Sequence, residues 1–467
     1  MFDFIDYLIL FSFLLGFTGF GWYQSQYNKS NADYFLGSKT MPWPVVMFSI
    51  VATETSVLTF ISIPGVAYRG NWLFLQLAIG YIIGRFLVSY FLLPMYFKKG
   101  VSSIYEVLGH SFGINIQKVA SLIFLITRIF ADGVRFLATA VIVQAITGWT
   151  LTAAVFLIGG VTLIYSLLGG IRTVIWIDGF QFILYVSGGL ISIFYLLSYI
   201  NQPFDRVVEI LTEFDKLKLF QFQGDLVSDP YYFINAILGG IFLSFASHGA
   251  DYMMVQRVLV TKDLSSARKA MIGSGVFVFL QFALFLFIGS LLFIYFDGAN
   301  IEKDREFSTF VVNHLPIGIK GILIAGILSA AMSTISSSIN SLTSSTVNDW
   351  LNGIGSIKKS QFIGLFWGLV LMTIALLFDE SDKALVLIGL EIASFTYGGL
   401  LGLFILTKLN IKLRAVSLII GILLSLIVVF IFKALGLAWT WYVFLSASVN
   451  IISTLVANKF LKIESPS

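Results

Sequence analysis

Residues 271–296 read MIGSGVFVFLQFALFLFIGSLLFIYF, without a single Asp, Glu, Lys or Arg. A bilayer's hydrocarbon core is about 30 Å thick and takes about 20 apolar residues per helical crossing. This stretch meets that requirement, and so does Ile411–Phe432. Lipid offers no water to a free amide, so a segment this long must satisfy its own backbone as a helix. The short alternating strands of a membrane β-barrel are missing from the pattern. The predicted class is therefore an all-α integral membrane protein.

Composition agrees. The 467 residues are 58% hydrophobic and only 12% charged, where soluble chains carry about a quarter charged residues. There is no Cys, which excludes a disulfide framework, a thiolate metal centre and a thiol nucleophile. His110, His248 and His314 show no metal-ligand spacing, and there is no GxSxG elbow or convincing Asp pair, so an enzyme is not expected. The net charge of +4 reads as a property of loops, and no nucleic-acid partner is expected. Asp3 and Asp6 precede Tyr7 with no basic residue, so the first apolar segment is expected to be a retained helix and not a cleaved signal.

Thirteen intervals are expected to cross the membrane: about 3–24, 42–66, 72–97, 115–146, 150–169, 175–199, 230–249, 269–296, 318–346, 361–379, 383–407, 413–435 and 437–460. The chain, 1–467, reads as one transmembrane domain. With the N-terminus outside, seventeen Lys and Arg fall in inside loops, Arg172 and Arg257 among them, and nine outside. This is the direction of the positive-inside rule, and moving one span would destroy it. The acidic runs Glu302–Glu306 and Asp379–Asp382 then lie outside. The expected placement is the inner cell membrane, with the C-terminus cytoplasmic.

Polar residues inside the spans need reasons, because a charge near the bilayer centre costs several kcal/mol. Arg85, Glu54 and Glu391 are such residues; an internal ion pair is the simplest account of Arg85. Arg128, Asp132 and Arg135 share one helix face. Asp132 can pair with either Arg, leaving one cation over. The group is a structural triad, or its spare Arg meets an anionic substrate. Residues 325–345, AGILSAAMSTISSSINSLTSS, place Ser333, Ser337, Asn340, Ser341 and Ser344 in a continuous stripe. Small hydroxyl residues serve helix packing in membranes, but so many neutral oxygens also suit a hard monovalent cation. Residues 51–65, VATETSVLTFISIPG, and 237–254, ILGGIFLSFASHGADYMM, look like interrupted helices. They lie five spans apart, as two inverted five-helix repeats around a midplane site would place them. Asp178 is either an end cap or a carboxylate on a cation path.

In these stretches the chain resembles the sodium/solute symporter family. The resemblance rests on NADYFLGSKTMP (31–42), ATETSVLTFISIPG (52–65), SIYEVLGHSFG (103–113), LLGGIRTVIWIDGFQF (167–182), MMVQRVLVTKD (253–263) and the Ser-rich span. It implies a LeuT-like fold: a leading helix at 3–24, repeats at about 42–199 and 230–407, and trailing helices at about 413–460. It implies alternating access driven by sodium. The principal sodium site would use carbonyls of Ala52, Thr55 and Ala330 with hydroxyls of Ser333 and Thr334. A second would use Asp178, Ser333, Ser336 and Ser337. Substrate candidates are Ser56, Thr59 and Gln76, with Arg128 and Arg135. The Arg that binds carboxylate in sialic acid carriers is matched here by Ala131, so a sugar, a sialic acid and a carboxylate all stay open as solutes. The alternatives are a proton-coupled carrier using Glu54, Asp132 or Asp178, and an uncoupled sensor or channel.

Overall fold

A computed structural model describes residues 3–55, 57–353, 355–377, 385–409 and 411–463, with backbone alone at 58, 145–146, 385–393 and 462–463. Ser56, Asp379–Asp382 and the side chain of Glu391 lie outside the described residues. Among the described residues all regular structure is helical, apart from an isolated bridge between Met41 and Thr261. The principal helices are α1 (Phe4–Ser25), α2 (Trp43–Glu54), α3 (Val57–Arg69), α4 (Leu75–Leu87), α5 (Ile114–Thr147), α6 (Leu151–Ile200), α7 (Phe233–Gly249), α8 (Tyr252–Leu259), α9 (Leu264–Tyr295), α10 (Ile319–Ser345), α11 (Ile357–Leu377), α12 (Leu385–Leu406), α13 (Ala415–Ala434) and α14 (Tyr442–Ile463). By length and composition, eight of the described helices can cross a membrane, or up to ten if each of two bent pairs is one span.

One difference from the sequence pattern is local. The intervals 150–169 and 175–199 are joined in α6, which runs for 50 residues. At Gly170 its backbone leaves helical geometry, with φ 63° and ψ −162°. A Cβ there would stand 2.7 Å from the Tyr34 carbonyl oxygen. Glycine adopts this backbone without steric penalty, so the chain kinks instead of looping.

The two interrupted segments are real breaks. The halves α2 and α3 meet at 61°, and α7 and α8 at 62°. Thr55 ends α2 with φ −85° and ψ 83°. Asp251, at φ −98° and ψ 119°, opens α8 and accepts from Met253 N at 2.9 Å. That carboxylate satisfies one of the amides a helix start leaves unpaired.

Helix backbones approach closely at small residues, as membrane helices do. A Cβ on Gly80 or Gly84 of α4 would meet the Ile237 or Ile241 carbonyl of α7 at 2.5 Å. One on Gly289 of α9 would meet the Pro64 carbonyl of α3 at 2.0 Å. The Ser-rich α10 is the axis: 94% of its apolar window is buried, against 33% in α13. Asp6 of α1 accepts from Gly318 N at 2.8 Å and Gly321 N at 2.9 Å, so the early acid caps the start of α10. Leu15, Trp22, Phe194, Phe362 and Leu435 are exposed at the rim, which suits contact with acyl chains.

The Gly170 geometry gives a direct test. Gly170→Ala is expected to lower the thermal unfolding midpoint of the purified protein, with a strain of about 1–3 kcal/mol. Gly160→Ala, where a Cβ meets nothing within 4 Å, is expected to leave the midpoint unchanged or raise it.

Candidate functional site

The end of α2 leaves carbonyls without helical partners. The middle of α10 lies against them. Thr334 Oγ1 stands 3.3 Å from the Thr53 carbonyl oxygen and 3.4 Å from the Ala330 carbonyl oxygen, and its one proton is shared between them. The Ala330 carbonyl is one turn back on the same helix, so Thr334 faces both it and the end of α2. Thr53, absent from the expected set, supplies the α2 carbonyl that Thr334 contacts. The Thr55 hydroxyl turns away and donates to Gln281 Oε1 of α9 at 2.9 Å. All of these side chains are buried.

One turn along α10 is a second oxygen cluster. Asp178 is fully buried and accepts from Ser49 Oγ at 2.6 Å and Ser333 Oγ at 2.6 Å. Thr53 Oγ1 lies 3.4 Å from Asp178 and 3.2 Å from Ser337 Oγ. Ser336 and Ser337 donate to the Ser333 carbonyl at 3.1 and 2.6 Å. Asp178 is therefore no end cap: it joins α2, α6 and α10. It also pairs with Arg257 of α8, at 3.4 Å. Arg257 is fully buried, which corrects its placement among the inside-loop charges. The eight-residue α8 is too short and too mixed in composition to register as membrane-buried.

The α5 triad is more connected than its spacing suggests. Asp132 pairs with Arg128 at 3.4 Å and Arg135 at 3.0 Å, and it accepts from Ser338. Arg128 is not left over, because Asp251 meets it at 3.0 Å and Tyr397 also accepts from it. Tyr397 in turn donates to Asp251 at 2.6 Å. Arg128 is 1% exposed, whereas the Arg135 side chain is 14% exposed. Glu54 faces away from α10, pairing with Arg85 of α4 and lying 3.5 Å from His248 Nε2 of α7. Gln76 is fully buried; it donates to the Leu73 and Tyr231 carbonyls at 3.2 and 3.0 Å and accepts from Gln221 N at 3.3 Å. It ties down the segment before α7. Thr59 is buried in α3.

A buried oxygen-only site at a helix break is the chemistry of a bound alkali cation, with unwound carbonyls as ligands. The sodium:solute symporter family model matches residues 34–378, most of the chain. The chain belongs to the sodium:solute symporter family. It is a multi-pass membrane protein that couples sodium to the movement of a small solute by alternating access, and sodium is its driving ion. The sodium/sialic acid symporter of Proteus mirabilis is 29% identical over 452 residues, covering 92% of this chain and 89% of that one. The corresponding symporter of Aliivibrio fischeri is 28% identical, covering 90% and 86%. The solved outward-open, substrate-bound structure of a sodium-coupled sialic acid symporter matches with a TM-score of 0.89 at 26% identity, covering 98% of both chains. A nucleobase–cation symport family transporter shares the fold, with a TM-score of 0.67 at 14% identity.

The sequence assigns no role to Ser49, Arg257, Gln281 or Tyr397, and it marks Asp251 only as part of the second interrupted segment. Ser49 stands one turn before Thr53 on the same face of α2, a spacing that could have revealed it. In this symporter Asp251 is the second carboxylate that keeps Arg128 paired. Asp251→Ala is expected to destabilise the protein by about 3–5 kcal/mol, as breaking a buried pair does. Thermal unfolding of the purified protein measures it, and Asp251→Asn is expected to fall between the two.

Proposed function

We propose that this symporter carries a small carboxylate-bearing solute of the sialic acid class, inward with sodium, across the inner cell membrane. Two similar relatives, both sodium/sialic acid symporters, support that solute class. The geometry that carries the sodium reading is the crossing of the α2 break and α10 at Thr334. The principal ion is held by the carbonyls of Ala52, Thr55 and Ala330 and the hydroxyls of Ser333 and Thr334. The second is held by Asp178, Ser333, Ser336 and Ser337. The solute lies beside the α2–α3 break, against Ser56 and Thr59. Arg135, more exposed than Arg128 and held by one carboxylate, meets the solute's carboxylate. Gln76 shapes the outer wall by fixing the segment before α7, and Arg128 acts by orienting Asp132.

Thirteen crossings, with N-terminus outside and C-terminus inside, complete the reading. So do repeats at about 42–199 and 230–407 within one domain. The protein is a carrier and not an enzyme. Proton coupling through Glu54, Asp132 or Asp178 is disfavoured, because each of these is already paired with an arginine. Sodium favours the state in which the break is packed on α10, and only through its differential affinity for the two states.

Uptake into proteoliposomes tests this. Labelled sialic acid uptake is expected to require an inward sodium gradient. Thr334→Ala is expected to raise the sodium concentration for half-maximal uptake roughly tenfold, equivalent to about 1.4 kcal/mol. Equal wild-type uptake with choline in place of sodium would sink the reading. Arg135→Ala is expected to weaken the solute by about 1.5–3 kcal/mol, the worth of a hydrogen bond to a charged group, with sodium-induced stabilisation retained.

A further inference from the structure

Arg257 lies on the oxygens proposed for the second sodium. It donates to Ser337 Oγ, and its Nη2 stands 3.4 Å from Asp178 Oδ2. Its Nε donates to Ser49 Oγ at 3.1 Å, and its Nη1 to the Met253 carbonyl at 2.5 Å. Both charged side chains are fully excluded from solvent. A buried carboxylate needs a compensating cation. The carboxylate of Asp251, at the start of α8, is already taken by Arg128 at 3.0 Å.

Two cations cannot share Asp178 Oδ2 and Ser337 Oγ equally. An N–H directed at an oxygen occupies a lone pair that a metal ion would use, and like charges in a dry cluster repel strongly. We propose that Arg257 is a tethered competitor for the second sodium: its guanidinium holds Asp178 and Ser337, and the ion binds by displacing it from them. The proposal rests on the reading of Asp178, Ser333, Ser336 and Ser337 as a sodium site. Competition keeps Asp178 paired throughout the transport cycle. It also weakens the ion's hold, so that the ion is released at each turnover.

The competition has a structural consequence. Arg257 stands on α8, the second half of the broken α7–α8 pair. Its contacts with Asp178, Ser49 and Ser337 tie α8 to α6, α2 and α10. A sodium ion that displaces the guanidinium loosens α8 from all three helices. The Met253 carbonyl, on α8 itself, retains the other end of the fork. Ion binding on ligands from α6 and α10 is thereby coupled to the position of the broken α7–α8 pair.

The test uses the full-length protein purified in detergent, with sodium exchanged for choline at constant ionic strength. The readout is the sodium dependence of the thermal midpoint, and Asp178→Asn identifies the component due to the second site. Arg257→Gln is expected to lower the sodium concentration at half-effect of that component by about 5–150-fold, the usual span of a coupling between two sites. Ser49→Ala, which removes the Nε partner while leaving both charges, is expected to shift it the same way by less, and it decides the matter if Arg257→Gln does not fold. An unchanged or higher half-effect concentration in these variants, with Asp178→Asn still abolishing the component, overturns the competition. A sodium dependence untouched by Asp178→Asn overturns the underlying sodium site instead.

Discussion

The structure depends on covering two broken helices in a medium that has no water. Each break releases backbone groups that lipid cannot satisfy. The α2 break survives because α10 lies across it, with Thr334 on the Thr53 carbonyl. The hydroxyls of α10 are self-sufficient as well as reactive. Ser337 donates to the Ser333 carbonyl at 2.6 Å and Thr343 to the Ile339 carbonyl at 2.6 Å. A serine bonded to its own preceding turn can sit buried, yet its oxygen keeps lone pairs for a cation. That double capacity lets one enclosed helix serve as both axis and ligand.

Among the described residues, arginine–carboxylate groups tie the broken helices to the neighbouring elements. Arg85 with Glu54 joins α4 to the end of α2. Arg128 with Asp132 and Asp251 joins α5 to the start of α8. Arg257 with Asp178 joins α8 to α6. In each group one partner stands on, or at the edge of, half of a broken helix. A buried pair adds little net stability over a well-packed apolar contact, but losing one partner is severe. Such pairs therefore define which helix half sits where, and motion of a half must carry its charge partner along or exchange it.

The proposed ion sites draw their ligands from α2, α6 and α10. An ion bound there biases the equilibrium between two states only as far as its binding energy differs between them.

Composition and periodicity alone determined the membrane class, the helical character of the chain, the Ser stripe of α10 and both interrupted helices. These are local properties, written within one or two turns of chain. Even Asp178 and the α5 triad were visible, because charges in apolar runs stand out. Their partners were not. Asp251 and Arg257 lie beside and on an eight-residue helix too short to be recognised as a crossing, and Arg257 meets a carboxylate 79 residues away. Glu54 sits beside the cation turn in sequence, yet it faces α4 because the helix rotation sends it there. Gln76 looks like a pocket residue but ties down a loop. Only the tertiary structure decided which charge meets which, because pairing depends on the distance between helices and not on spacing along one.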